Sequence, residues 1–509
     1  MKQRYEILKF DDDNLARALK SEVSEERIKE RRHYLYLKKY LGEEKGIKAK
    51  TILIEKEYVS KAYITDYSNY YATCFQHYDQ RCKRVHFFNA DFGDEVFLKD
   101  ILDPKSQFLN DHYLGYIVIK PLPERFIGTT LLATYNKRVD DHLRFYPSCH
   151  IYHVNLFGKD LSIETLPFQE QDTVVSACAS VAIWSAFHQT SWLFKTNLPS
   201  PSEITKQAGN LFINSGRTYP NSGLDLYQIG KAIDSVGLVS EIRASVIFDQ
   251  DINLATRIIY AYLKANIPVL LLIKETQESI DGHAVTIVGY SEPKPIVAQE
   301  HKDPVQEITL LADRIDKFYI HDDQLGPFAK YTFSGNTALQ KHTWSDEGEE
   351  REESAWIHAV VIPLYPKIRI KYEDVFETIS TIDIIFFSLK VFSVEMEWDI
   401  YLIESNKFKK ELADSDLDVS IKKRKAFSNF PKYIWIARAK LNDKPIFDFI
   451  FDSTDIPSGH YCIDFVLHDP ASGKYLLYVL NEASSYFIDD PDGPRLGKKV
   501  FDMLKLEVS

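Results

Sequence analysis

The chain has 509 residues, 45% of them hydrophobic and 27% charged, with 30 Tyr and 31 Phe. This composition supplies apolar material for real cores and excludes a disordered or fibrous chain, and the length suggests about three domains. A net charge of −12 and a pI of about 5.7 disfavour a nucleic-acid partner, whose phosphates such a surface repels.

Residues 1–50 form a charged segment in which 14–50 predict one or two solvated helices, Glu, Lys and Arg alternating with Leu and Tyr. Residues 51–155 predict a mixed α/β domain. Its strands are expected at 51–55, 85–88 and 113–120, the last stopped by Pro121 and Pro123, and a Tyr-rich stretch at 63–75 has helical spacing. Residues 156–344 form the next expected domain, with a buried helix over 178–190, helical pieces near 202–214 and 224–236, and strands at 267–273, 284–290 and 317–321. The Pro-, Glu- and Lys-rich stretch 291–308 reads as a surface excursion between two of these strands. The acidic run 345–353 is the expected boundary to a strand-rich C-terminal domain, 345–509. Its strands are expected at 359–364, 368–370, 384–392, 433–437, 447–451, 462–467 and 475–480.

The five cysteines, Cys74, Cys82, Cys149, Cys178 and Cys462, are odd in number and scattered. They do not suggest a disulfide framework and suit a reducing compartment. The first residues lack the apolar core of a signal peptide, and the longest apolar runs fall far short of the ~20 residues that span a bilayer. A cytoplasmic location without membrane contact is the expectation.

Chemistry concentrates in the third expected domain. Small and apolar residues follow Cys178, with Ile183 and Phe187 spaced i,i+4, so Cys178 falls at or near a helix N-terminus. Such a position favours the thiolate, and the free N–H groups there can hold an oxyanion. Gln171 and Gln169 lie just upstream as possible further oxyanion donors. His283 opens a β-branched strand between Gly282 and Gly289, where it can face a nucleophile as general base. A third strand ends in Asp322 and Asp323. Either carboxylate can accept the second ring N–H of His283 and hold its tautomer, with Asp322 preferred. His321, on the opposite strand face by alternation, is a weaker candidate for the base.

Other features read as structural. Cys149, His150 and His153 have no second ligand cluster of zinc spacing nearby, and the acidic 489–494 stretch lacks the terminal glutamate of a calcium loop. The loop at Ser222, before Leu224, reads as a helix start. No metal and no organic cofactor is expected.

Taken together, the order of glutamine and cysteine at a helix start, Gly282-His283-Ala284-Val285 on a strand, and a strand ending in Asp322 before Gly326-Pro327 resembles the papain-like cysteine peptidase superfamily. It is most similar to the bacterial branch that includes the leader-peptide peptidase domains of exporters, over residues ~166–330. The resemblance implies an α+β papain-like core, a Cys-bearing helix packed on an antiparallel sheet, flanked here by the N-terminal α/β and C-terminal strand-rich domains. It implies Cys178 as nucleophile, His283 as base, Asp322 as orienter and a glutamine as oxyanion donor. The family glutamine usually lies six residues before the cysteine, where Asp172 stands; Gln171 lies seven before. Asp323 stands where proline often follows the acid.

The implied activity is that of a thiol protease, hydrolysis of a peptide or isopeptide bond in a protein or peptide substrate through an acyl-enzyme. The same thiolate could instead serve an acyltransferase, a transglutaminase or a deamidase. An inactive scaffold for protein partners, bound through the N- or C-terminal domain, is the non-enzymatic alternative.

Overall fold

The structure is a computed structural model. It describes residues 4–22, 24–42, 46–139, 142–172, 178–209, 223–244, 252–276, 278–279, 282–294, 308–334, 338–344, 350–388, 396–454, 462–469, 473–475 and 478. The expectations for Ser222 and for 489–494 lie outside these residues. The architecture is α+β. The chain divides into two compact units, one of residues 1–252, 266–292 and 317–364, the other of 253–265, 293–316 and 365–509. No helix among the described residues is long and apolar enough to cross a membrane.

The first unit begins with an antiparallel five-stranded sheet whose order follows the chain: Tyr5–Lys9, Thr51–Tyr58, Cys82–Phe88, Tyr113–Ile119 and Ile127–Leu132. The helical segment before residue 50 is three helices, Asp12–Leu19, Glu25–Lys29 and Arg32–Leu41. The third is not solvated as its charges suggested. Tyr34, Tyr36, Leu37, Tyr40 and Leu41 are buried, because tyrosine can bury its ring while its hydroxyl reaches an acceptor. Tyr36 donates to the Pro327 carbonyl and Tyr40 to that of Ala133.

The larger sheet has nine antiparallel strands. Six of them close on themselves: Val269–Lys274, His283–Ser291, Lys317–Asp322, Gly326–Ser334, Ala338–Trp344 and Glu350–Leu364, the last pairing back to the first. Closure leaves this ring without free edges. Of the acidic stretch 345–353, where composition marked a boundary, the described residues 350–353 open a strand of the ring. Glu350–Leu364 pairs with Ala338–Trp344 through its charged half and with Val269–Lys274 through its apolar half.

On one sheet face lies the 17-residue helix Cys178–Phe194. Ala179, Ala182, Ile183, Ala186 and Phe187 share a core with Leu270, Leu272, Ala284, Ala359 and Val361 of the sheet, and with Ile204 and Ile233 of two further helices, Pro201–Ala208 and Leu226–Asp234. The helix is buried nearly all round, as expected for a core helix rather than an amphipathic surface one. Polar pins set its rotation: Thr286 Oγ1 donates to the Ala182 carbonyl at 2.8 Å, and Ser180 Oγ meets Thr205 Oγ1 at 2.6 Å.

Glycine is required beside the acid strand. A Cβ on Gly326 would lie 2.3 Å from Cδ1 of the Tyr36 ring, and that ring is fully buried. Gly326→Ala is therefore expected to destabilise the first unit by about 1–3 kcal/mol through overpacking, read as a lowered melting temperature. An unchanged melting temperature would mean that Tyr36 can move aside freely.

The second unit has a five-stranded sheet in the order Thr309–Leu310, Glu397–Glu404, Tyr433–Leu441, Lys444–Asp452 and Cys462–Leu467, its first pair parallel and the rest antiparallel. Its helices are Ile252–Leu263, Tyr372–Ser388, Ser405–Asp414 and Val419–Phe427. Three strand expectations fail among the described residues here. The stretch 384–388 closes the helix Tyr372–Ser388 instead of opening a strand, and 368–370 forms no strand. A short apolar run does not by itself distinguish a strand from a buried helix end. The described residues of 475–480, Tyr475 and Tyr478, are helical as well.

Candidate active site

Register brings the histidine and acid strands into position. Thr286 pairs with His321 and Ile287 with Ile320. Continuing that register by one residue sets Asp322 across from Val285. His283, two residues along the same face, is then a diagonal neighbour of Asp322. His283 Nε2 lies 2.7 Å from Asp322 Oδ1. Alternation sends His321 to the other face, where its Nδ1 meets Ser185 Oγ at 3.2 Å and its ring packs edge-on against Phe168. Burial pushes the His321 imidazole down to about 3, so it stays neutral.

Cys178, the first residue of the buried helix, is half-buried, and it lies near enough to the His283 side chain to help raise the imidazole pKa. With Nε2 given to Asp322, Nδ1 is the ring nitrogen left for sulfur. The imidazole therefore has the carboxylate on one ring nitrogen and Cys178 as a further neighbour. Against the effect of its own burial, Asp322 and the contacts with Cys178 and Asp323 hold His283 well above the ordinary histidine range.

Asp322 is fully buried and saturated with donors. Besides His283, Oδ1 accepts from the Gln324 backbone N–H at 2.9 Å and Oδ2 from the Tyr331 hydroxyl at 2.7 Å. Burial alone would raise its pKa. His283, with help from Lys341 and the Gln324 N–H, holds it well below the carboxylate range. Asp323, the alternate acid, has Oδ1 at 3.3 Å from His283 Nε2. Its backbone carbonyl accepts from His33 Nε2 at 2.6 Å.

The donor atoms of His283, Asp322 and Asp323 lie within 4.8 Å of one another. The 2.7 Å between Nε2 and Asp322 Oδ1 is a hydrogen-bond distance, shorter than the about 3.3 Å between two donors on one tetrahedral zinc. The His283–Asp322 pair is joined by a hydrogen bond.

The segment before the helix is anchored separately. Thr130 and Phe168 exchange backbone hydrogen bonds at 2.7 and 3.0 Å, the Glu170 N–H reaches the Ile127 carbonyl at 3.1 Å, and Ser185 Oγ donates to the Pro167 carbonyl at 2.7 Å. Gln169 is buried and Gln171 half-buried. Asp172 turns to other partners. Its Oδ2 accepts from the Tyr71 hydroxyl at 2.6 Å and lies 3.8 Å from Lys120 Nζ. Residues 173–177, which join this anchor to Cys178, are outside the described residues.

The sequence reading missed Tyr331, Lys341 and His33. Tyr331 comes from the strand that pairs with the acid strand, Lys341 from the strand after it and His33 from a helix 290 residues away, and no motif links them to the histidine or the acid. A charged cleft of about 620 Å³, lined in part by Arg32, Glu124, Arg125 and Glu275, reaches the acid turn at Gln324. Comparison of the chain with protein-family models, with curated proteins and with solved structures finds no match.

Proposed function

We propose that the first unit is a papain-like thiol hydrolase that cleaves a peptide or isopeptide bond in a protein or peptide substrate. The observation that carries this reading is the imidazole of His283, bonded at 2.7 Å to the buried Asp322 carboxylate and neighbouring Cys178 at the start of the core helix. A nucleophile, a base and an orienter of the base are the minimum that acyl transfer through a thiol requires. The Cys-bearing helix packed on a closed antiparallel sheet supports a papain-like core.

In this mechanism His283 takes the Cys178 proton, and the sulfur attacks the carbonyl carbon. The backbone N–H of Cys178, with Gln171, faces the developing oxyanion. Collapse of the tetrahedral intermediate expels the amine, which receives the proton from His283 and leaves an acyl-enzyme. Water, deprotonated by the same imidazole, then releases the acid. Asp322 keeps the ring oriented and stabilises its charged form. The cleft that reaches Gln324 has room for part of a polypeptide.

Selective alkylation tests the reading. Burial pushes the Cys82 thiol up to about 12 and that of Cys149 well above its usual range, so neither competes. Cys74, half-buried like Cys178, is the fair internal control. Iodoacetamide near neutral pH, followed by peptide mass spectrometry, is expected to label Cys178 about tenfold or more faster than Cys74. Equal rates would remove the case for a catalytic thiol.

A further inference from the structure

We propose that Asp323 is a second acid of this site, a positioning residue that acts through the His283 imidazole and sets the reactivity of Cys178 by gaining or losing its own proton. The proposal rests on the thiol-hydrolase reading above.

The two adjacent carboxyl groups meet the same ring nitrogen under opposite conditions. Asp322 has three donors, from His283, Gln324 and Tyr331. Asp323 is 5% exposed, and neither of its carboxyl oxygens has a hydrogen-bond partner among the described residues. A buried carboxylate without donors is held in its charged form only weakly.

The surrounding groups explain why no donor reaches it. From the histidine strand, His283 offers Nε2, at 3.3 Å from Asp323 Oδ1 but at 2.7 Å from Asp322 Oδ1. From the helix Arg32–Leu41, His33 spends Nε2 on the Asp323 backbone carbonyl. From the segment before Ile127–Leu132, Arg125 reaches Glu170 at 3.3 Å. From Gly326–Ser334, the Tyr331 hydroxyl goes to Asp322. Burial and the neighbouring Asp322 charge push the Asp323 carboxyl up to about 6, against the opposing pull of His283, His33 and Arg125.

Asp323 thus changes charge within the pH range where thiol hydrolases work. Protonated, it is a neutral neighbour. Ionised, it places a second negative charge beside His283 Nε2 and favours imidazolium, the form that holds a thiolate on Cys178. Asparagine at 323 keeps the shape and stays neutral at every pH, so it mimics the protonated state.

The test is the rate of Cys178 alkylation by iodoacetamide, a neutral reagent, on the full chain from about pH 5 to about pH 8. In the wild type an inflection near pH 6 is expected, worth about three- to tenfold in rate. Asp323→Asn should lack that step and follow the low-pH limb of the wild type. Superimposable profiles overturn the proposal while leaving the dyad intact. Absence of preferential Cys178 labelling at any pH overturns the dyad, and this inference with it. Melting curves at about pH 8 control for folding: the variant should melt no lower than the wild type, because it removes a buried carboxylate without donors. If it melts lower, the wild-type profile decides alone, and a profile with no inflection near pH 6 overturns the proposal.

Discussion

His283→Ala slows alkylation of Cys178 near neutral pH by about a hundredfold, the usual scale for removing a positioned base, and leaves the rate at Cys74 unchanged. The expectation follows from proximity, since Cys178 neighbours His283 and one ring nitrogen is engaged by Asp322, which leaves the other for the thiol. The substitution removes the proton acceptor and the positive partner of the thiolate together. Asp322 keeps the Gln324 N–H and the Tyr331 hydroxyl in the variant, so the unit is expected to remain folded, with a lowered melting temperature. A folded His283→Ala variant whose Cys178 reacts at the wild-type rate would show that the thiol does not depend on the imidazole.

Asp322→Ala is expected to be the most destabilising single change in the site, at about 3–5 kcal/mol, the usual penalty for removing one partner of a buried charge pair. It deprives His283 and Tyr331 of their acceptor and leaves Lys341, itself buried, without the neighbouring negative charge. The effect depends on pH with a definite sign. The Asp322 pKa is lowered in the fold, so its contribution is present above the ordinary carboxylate range and is lost as pH falls through the folded value. The His283 pKa is raised, so its contribution is complete below about 6.5 and is lost as pH rises through the folded value. The difference in melting temperature between wild type and Asp322→Ala should be largest between about pH 4 and pH 6.5 and shrink on either side. Asp322→Asn retains acceptor capacity for Tyr331 and should melt between the two. Equal melting of wild type and Asp322→Ala throughout that window would count against a charged pair.

The active-site candidates were legible because each sits in a short local pattern. Cys178 precedes a run of small and apolar residues with helical spacing, and His283 opens a β-branched strand. Asp322 ends another strand at a turn. Helix and strand periodicity place such residues at element ends without knowledge of the fold. The glutamine was less legible. Counting back from Cys178 leads to Asp172, whose carboxylate is committed to Tyr71 and Lys120, two residues that no spacing rule connects to it.

The strand-rich reading of the C-terminal part holds for 433–437, 447–451 and 462–467, which lie within strands of the second unit. It fails at 384–388, where an apolar run closes a helix. The strand Glu397–Glu404 went unread, although its residues are nearly all buried. A strand covered on both faces shows no alternation, and so leaves little trace in sequence.

The sequence by itself determined the chemical types at the site, their order and the elements that carry them, because these depend on neighbours three or four residues away. Tertiary structure decided which of two adjacent carboxylates bonds His283. The sequence preferred Asp322 without excluding Asp323; in the fold Asp322 meets His283 and Tyr331, while Asp323 is buried where no donor among the described residues reaches its carboxyl. That difference arises from the pairing of the acid strand with its neighbours and from a helix 290 residues away, and so from packing that the dipeptide itself does not encode.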